Sequence, residues 1–80
     1  MRLVQIYSRP GCHLCELAMN SLILLQKELA FQIEEIDITA DQELLRKYGE
    51  QIPVIHLDGK PHDFFRVNSE RFRKAFIQGR

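Results

Sequence analysis

The two cysteines of the chain lie three residues apart, where a strand-like segment meets a strongly helical one. Residues 2–8, which precede them, form a short and nearly continuous apolar run, typical of a central strand covered on both faces. Pro10 and Gly11 predict a turn, because proline fixes its own φ and glycine permits a tight bend. A helical pattern begins near His13. A thiol pair at a strand-to-helix turn is a place where sulfur chemistry can occur.

The apolar residues after the cysteine turn predict which face of the first helix is buried. They recur three or four residues apart, as in a helix that lies on a sheet. The positions predicted to face the sheet are Leu14, Leu17, Ala18, Leu22, Leu25 and Leu29, and Ile23 and Leu24 widen that face. We therefore expect a long helix from residue 13 to about residue 29.

The middle of the chain predicts a second strand and a second helix. Residues 31–38 are expected to form a strand, and the alternation of apolar residues changes phase within it, which indicates a bulge or an edge position. Residues 39–42 resemble a capping box, with Asp41 as a competing N-cap. The helix that follows is expected to stop at Gly49.

The last third of the chain predicts a hairpin and a final helix. Residues 52–57 form a third strand, and Asp58-Gly59 is a strong two-residue hairpin signal. The hairpin returns a fourth strand over residues 61–67, and Pro61 favours an edge position for it because proline lacks an N–H donor. Asn68 or Ser69 caps the last helix, whose shared face is Phe72, Ala75 and Phe76. The aromatic residues expected to form core between this helix and the hairpin are Phe64, Phe65, Phe72 and Phe76, with one of the first two facing outward.

The predicted order is β-α-β-α-β-β-α, which is an α/β fold. The first β-α-β unit is expected to be parallel with a right-handed crossover, and the hairpin is antiparallel. Residues 1–80 are therefore expected to form one domain, with a mixed four-stranded sheet and helices on both faces.

Charge and hydropathy exclude several classes of function. Eleven basic and eleven acidic residues cancel, so no electrostatic attraction to nucleic acid or to an anionic membrane is expected. No apolar run approaches the ~20 residues that span a bilayer. The N-terminal residues lack the layout of a signal peptide, so we expect a cytoplasmic protein, where lasting structural disulfides are rare.

The position of the cysteines predicts their chemistry. Residues i and i+3 lie on one side of a helical turn, with Cα atoms roughly 5–6 Å apart, a separation that a disulfide bridges. Unpaired N–H groups and the helix dipole lower the pKa of a thiol at the N-cap from ~8.5 into the range of roughly 3.5–7.5. Cys12 is therefore the candidate nucleophile and Cys15 the candidate resolving thiol. Arg9 and His13 add positive charge near the sulfur or receive an anionic substrate.

Pro53 opens the third strand and forces Ile52 towards an extended conformation. If this strand lies beside the first one, the Ile52–Pro53 bond falls near the cysteine turn. The extended backbone at Ile52 is then suited to pair with a substrate peptide by strand addition. A metal site is the competing interpretation of the cysteines, but structural zinc needs about four ligands and no second cysteine cluster exists. His56 and His62 are expected at the surface of the hairpin.

The whole pattern resembles the thioredoxin fold in its minimal glutaredoxin form, over essentially all 80 residues. Residues 7–15, Tyr-Ser-Arg-Pro-Gly-Cys-His-Leu-Cys, are similar to a stretch shared by small glutaredoxin-like proteins. The resemblance implies a thiol–disulfide oxidoreductase with Cys12 attacking, Cys15 resolving and a cis Ile52–Pro53 bond. It implies no required cofactor, with glutathione as a candidate reductant. The expected partners are a disulfide-containing protein or small molecule, as substrate, and a reductant, either glutathione or a thioredoxin-type system. The protein itself is expected to be a monomer.

The sequence departs from the glutaredoxin pattern at three places, and the last of them bears on glutathione binding. His13 and Leu14 replace a proline and an aromatic residue, and Gln51 stands where a threonine precedes the family's Val-Pro. The stretch Val-Asn-Ser-Glu-Arg, residues 67–71, replaces a Gly-Gly pair and the acidic residue that holds glutathione. Side chains at Asn68 and Ser69 crowd a ligand that approaches backbone, and Arg71 has the wrong sign for an amine. The alternative function is a non-enzymatic thioredoxin-like binding module, with the cysteines as redox sensor or metal clip.

Overall fold

A computed structural model describes residues 2–79 and gives the element order that the sequence predicts. The strands are β1 (Arg2–Ser8), β2 (Phe31–Asp37), β3 (Val54–Leu57) and β4 (Lys60–Phe64), and the helices are α1 (His13–Gln26), α2 (Gln42–Tyr48) and α3 (Ser69–Gln78). A 3₁₀ turn, Ile38–Ala40, joins β2 to α2. No helix in residues 2–79 has the length and apolar character needed to cross a membrane.

The four strands form one mixed sheet in the order β2-β1-β3-β4. β1 pairs in parallel with β2 and antiparallel with β3, and β3 pairs antiparallel with β4. β1 is central, and β2 and β4 are edge strands, as the sequence predicts. The pairing of β1 with β2 runs without interruption, so the changed alternation in β2 reflects an edge and not a bulge. The register shift in the sheet lies instead between Ile55 and His56, where β3 pairs with β4.

Helices cover both faces of the sheet, which confirms the predicted architecture. One cluster joins α1 and α3 to the sheet through Val4, Ile6, Ala18, Leu22, Leu25, Phe31, Ile55, Leu57, Phe72 and Phe76. A second cluster contains Cys15, Ile38, Tyr48, Ile52 and Val54. Successive side chains of a strand point to opposite faces, so Val54 and Ile55 divide between the two clusters. α2 therefore lies on the face opposite α3.

The buried face of α1 is only partly the predicted one, and Ala18, Leu22 and Leu25 are the predicted positions that are confirmed. The buried positions are Cys15, Ala18, Leu22 and Leu25. The predicted face residues Leu14, Leu17, Ile23 and Leu24 are instead 45–62% exposed. Each residue of an α-helix is rotated about 100° from the one before it. The row of Leu14, Leu17 and Leu24 therefore points away from the sheet when the neighbouring buried row contacts it. The helix also ends earlier than predicted, at Gln26, and turns follow it up to residue 29.

The predicted aromatic core at the hairpin is only half correct. Phe72 and Phe76 are buried, but Phe64 and Phe65 are 52% and 46% exposed. β4 ends at Phe64, earlier than predicted, and Phe65 has a left-handed φ of 69°. The Phe65 N–H donates to the carbonyl of Pro53 at 2.8 Å. The reversal of the backbone at Phe65 breaks the alternation of a regular strand, so neither of these two rings reaches the core.

The predicted Asp58-Gly59 hairpin is present and is fastened to both ends of the described chain. Both residues have left-handed φ values, 52° and 83°, as a type I′ turn requires. The Asp58 carboxylate accepts hydrogen bonds from the Leu3 N–H at 3.0 Å and from Arg2 Nε at 2.7 Å. The Arg2 guanidinium also donates to the carbonyl of Phe76 in α3. These contacts hold the start of β1, the hairpin turn and the end of α3 together.

Candidate active site

The cysteine pair occupies the N-terminus of α1. Cys12 is the N-cap residue, with extended backbone, and its Sγ accepts a hydrogen bond from the Cys15 N–H at 3.2 Å. The turn before it is closed by the Cys12 N–H, which donates to the Arg9 carbonyl at 3.3 Å, and by a positive φ of 79° at Gly11. The two cysteines are joined as a disulfide, with their Cα atoms 5.2 Å apart. The proline–glycine turn therefore sets Cys12 where the first free amides of α1 point.

The two cysteines differ in accessibility. Cys15 is 4% exposed and belongs to the second hydrophobic cluster. Cys12 is only partly buried and packs against the edge of the same cluster. Cys12 is therefore the more solvent-accessible of the two sulfur-bearing residues.

Ile52 lies in the same cluster as the cysteines, and Pro53 follows it directly before β3, near the cysteine turn as the sequence predicts. Val54 pairs with Tyr7 at the end of β1, so the start of β3 adjoins the cysteine turn that follows Ser8. Ile52 is 8% exposed, Pro53 is buried, and the bond between them is cis. The structure thus brings Cys12, Cys15, Ile52 and Pro53 together.

Arg9 and His13 take different positions around the disulfide. Both residues are exposed. The His13 imidazole lies 3.9 Å from the Glu16 carboxylate, and both side chains are more than 70% exposed. Arg9 lines a hollow beside the sulfurs. Of the two predicted cationic residues, only Arg9 therefore borders a concave surface next to the disulfide.

Two adjoining hollows beside the disulfide form what we call the acidic groove. The hollow of about 250 Å³ that contains Cys12 and Cys15 is bounded by the 9–11 turn, one side of α1 and Glu35 of β2. A neighbouring hollow of similar volume shares Arg9 and Glu35 and adds Asp37. The charged residues of the acidic groove are Arg9, Glu16, Glu35 and Asp37. Sequence reasoning missed Glu35 and Asp37, although parallel pairing of β1 with β2 places the carboxyl ends of both strands together.

An aromatic cluster lies on the α2 side of the sheet, behind the second hydrophobic cluster. The Tyr7 ring centroid lies 4.8 Å from both Tyr48 and His56. Burial, the neighbouring Tyr48 and Glu34 raise the pKa of Tyr7. Burial and, to a smaller extent, Lys47 lower the pKa of His56. The prediction of a surface His56 is wrong, because α2 covers this face of β3.

His62 is also less exposed than predicted. Its ring meets Phe72 edge-on at 5.7 Å, and its Nε2 is buried without a hydrogen-bond partner. Burial is the main cause that lowers the pKa of His62, and Arg71 adds to it against the opposing effect of Asp63. Within residues 2–79, no three or more His, Cys, Asp or Glu side chains are grouped so that they can hold a metal ion.

The N-terminus of α3 is capped by a side chain of the same chain. Asn68 is the N-cap, and its Oδ1 accepts a hydrogen bond from the Arg71 N–H at 3.1 Å. The Arg71 guanidinium lies 3.9 Å from the Asp63 carboxylate. Arg71 and Asp63 line a hollow of about 300 Å³ with Gln51 and Val54, which flank the cis bond. The Arg71 N–H at this helix start is therefore already hydrogen-bonded within the chain.

Comparison with known proteins gives matches over nearly the whole chain. Residues 3–76 match the family described as Glutaredoxin-like domain. Uncharacterized protein Rv0508 of Mycobacterium tuberculosis is 32% identical over 75 residues, which are 88% of this chain and 77% of the relative. The solution structure of protein Ne2328 from Nitrosomonas europaea is 32% identical with a TM-score of 0.84, over 94% of this chain and 91% of that one. The glutaredoxin of E. coli has a TM-score of 0.61 at 23% identity, over 95% of each chain, so it is similar in fold.

Proposed function

Because this chain belongs to the glutaredoxin-like domain family, we propose that it is a thiol–disulfide oxidoreductase that works through Cys12 and Cys15. The observation that carries the proposal is the unequal exposure of the two sulfurs at the start of α1. The accessible one, Cys12, caps the helix, and the buried one, Cys15, lies one turn further on. An attacking thiol must meet the substrate, and a resolving thiol needs to meet only its partner.

The proposed cycle transfers two electrons from the dithiol to a substrate disulfide. The Cys12 thiolate attacks one substrate sulfur, forms a mixed disulfide and releases the first substrate thiol. The Cys15 thiolate then attacks Cys12 Sγ, which releases the second thiol and leaves the Cys12–Cys15 disulfide. An external thiol reduces that disulfide and completes the cycle.

The helix start favours the thiolate form of Cys12 in the reduced protein. The amides at the N-terminus of α1 lack partners within the helix, and the helix dipole is positive at this end. The hydrogen bond from the Cys15 N–H to Cys12 Sγ is one such interaction. We expect these groups to hold the pKa of the Cys12 thiol below that of a free cysteine.

Ile52 and Pro53 are proposed to bind the substrate. Their place beside the cysteines suits pairing of a substrate segment with the backbone at Ile52. Arg9 and His13, both exposed near Cys12, are the proposed polar contacts at the rim of the site. The reductant is proposed to be glutathione or a thioredoxin-type protein, and no cofactor is required.

The reductant is tested by turnover of a model disulfide, measured with glutathione and glutathione reductase and, separately, with thioredoxin and thioredoxin reductase. We expect turnover in one of these systems and its loss in Cys12→Ser. In Cys15→Ser we expect a mixed disulfide with the substrate to accumulate, detected by intact mass. Absence of turnover in both systems would favour the binding-module alternative.

The Cys12 thiolate is tested by the pH dependence of alkylation in the Cys15→Ser variant. We expect the rate to reach half its maximum well below pH ~8.5, the ordinary value for cysteine. A rate that rises only above that pH would contradict the role of Cys12 as nucleophile.

A further inference from the structure

The surface beside the disulfide carries an uneven distribution of charge. The acidic groove contains three carboxylates, from Glu16, Glu35 and Asp37, against the single guanidinium of Arg9. Cys12 and Cys15 form part of its wall. A group bound there therefore lies next to the atoms that exchange. The whole chain is neutral, so this local excess of negative charge belongs to the groove and not to the protein as a whole.

Two of the three carboxylates of the acidic groove, those of Glu35 and Asp37, are held in place by neighbouring donors. The Ser8 hydroxyl, which is 3% exposed, donates to the Glu35 carboxylate at 3.1 Å. The Thr39 hydroxyl and N–H donate to Asp37 at 2.6 and 2.9 Å and lower the pKa of that carboxyl. Within residues 2–79, Arg9 lies within ion-pair distance of no carboxylate. Arg9 therefore neutralises none of the three carboxylates by direct contact, and in this part of the chain the one basic group within ion-pair distance of any of them is the exposed His13 imidazole, 3.9 Å from Glu16.

We propose that the acidic groove selects disulfide substrates whose cysteine is flanked by basic side chains. This inference rests on the proposed function, because it concerns the substrate of the same sulfur pair. A lysine or arginine beside the substrate cysteine enters the groove as that cysteine meets Cys12. An acidic flank is repelled by the same carboxylates.

The expected size of the selectivity follows from the exposure of the groove. Glu16 and Glu35 are exposed, and each exposed pair of opposite charges contributes a modest, salt-sensitive attraction. Together we expect a preference of about tenfold for a basic over an acidic flank at low ionic strength, and a smaller one in salt.

The experiment measures a single turnover, so it needs no external reductant. Reduced protein is mixed with the symmetric disulfide of Ac-Lys-Cys-Lys-NH₂ or of Ac-Glu-Cys-Glu-NH₂. One protein dithiol and one peptide disulfide then become one protein disulfide and two peptide thiols. The mixture is alkylated rapidly and analysed by mass spectrometry. The quantity compared is the ratio of the two second-order rate constants, lysine peptide over glutamate peptide.

Glu35→Gln and Glu34→Gln form a matched pair of variants. Both remove one negative charge from β2, but Glu34 points to the opposite face of the strand and accepts a hydrogen bond from Gln5. Glutamine at position 35 still accepts the Ser8 hydrogen bond. We expect Glu35→Gln to lower the peptide ratio about threefold, and Glu34→Gln to leave it at the wild-type value.

The outcomes separate this inference from the proposed function. Oxidation of the wild-type dithiol by both peptides at equal rates would overturn the charge selectivity and leave the oxidoreductase intact. Equal losses of selectivity in Glu34→Gln and Glu35→Gln would also overturn it, because long-range charge and not the groove would then be responsible. Failure of both peptides to oxidise the dithiol would contradict the proposed function itself.

Discussion

At the scale of single residues, His56 behaves unlike the exposed histidine that the sequence suggests. It is 9% exposed and packs against Tyr7, with the Tyr48 ring 6.0 Å away. Its burial depends on α2, which lies on this face of the sheet but is distant along the chain. Local alternation in a hairpin does not reveal such a cover. A feature that arises locally, such as the N-cap position of Cys12, was predictable from the neighbouring residues.

The buried state of His56 predicts a pH-dependent stability. The lowered pKa means that the unfolded chain binds protons more readily than the folded one, so the free energy of unfolding falls as pH drops below ~6.5, the ordinary histidine value. Burial also lowers the pKa of His62, so this residue contributes to the pH dependence of stability in the same direction. We expect His56→Phe to show a shallower loss of stability between pH 7.5 and 5.5 than the wild type, measured by urea unfolding.

The exposed His13 provides the control for this measurement. His13→Gln removes an imidazole from the surface of α1, where the side chain is 79% exposed, and we expect it to keep the wild-type slope. Equal slopes in wild type, His56→Phe and His13→Gln would show that the buried imidazole does not contribute to the pH dependence.

At the scale of elements, α1 shows how far a hydrophobic pattern determines packing. The helix carries two neighbouring apolar rows, one with Leu14 and Leu17 and one with Ala18 and Leu22. Periodicity predicts the helix but does not choose between the rows, because both have helical spacing. In the structure the second row is the one that packs against the sheet, with Ala18 and Leu22 buried. By contrast, the Asp58-Gly59 turn was predictable because the positive φ values that it requires are a local preference of these two residues.

The two rows of α1 predict losses of stability of very different size for the same substitution. Leu22 is fully buried and Leu24 is 62% exposed. We expect Leu22→Ala to lower the free energy of unfolding by ~2–5 kcal/mol through lost burial and a residual cavity. Leu24→Ala should change it by no more than ~0.5 kcal/mol. Urea unfolding measures the free energy of unfolding of both variants, and equal m-values make the two free energies comparable.

Equal destabilisation by the two variants would contradict the packing of α1. If Leu24→Ala destabilised the protein as much as Leu22→Ala, the row that contains Leu24 would be covered in solution. Because both variants exchange leucine for alanine in one helix, differences in helix propensity cancel between them.

At the scale of the whole molecule, the fold was predictable because few arrangements satisfy its element order. A parallel β-α-β unit, a right-handed crossover and a tight hairpin leave little freedom in a four-stranded sheet. The acidic groove was not predictable in the same way. It combines the 9–11 turn, α1 and β2, and charges such as Glu35 acquire a common role only when those segments meet.

The strand order predicts how protection from hydrogen exchange is distributed. β1 lies between two strands, and its Val4 and Ile6 side chains are fully buried, whereas β4 is an edge strand of mostly exposed residues. We expect β1 amides to exchange only through global unfolding, and β4 amides at least about tenfold faster through local opening. NMR-detected exchange measures both in one sample. Equal protection in β1 and β4 would show that the sheet opens only as a unit.

The bonds of Arg2 to Asp58 and to the Phe76 carbonyl also determine how this molecule can be attached to a solid support. They place the start of β1 and the end of α3 side by side, and β1 then runs seven residues before the cysteine turn. At ~3.3 Å per residue that strand separates the two poles by roughly 20 Å. A linker joined beyond Arg2 or Gly79 therefore orients the disulfide away from a bead or an electrode, towards the solution.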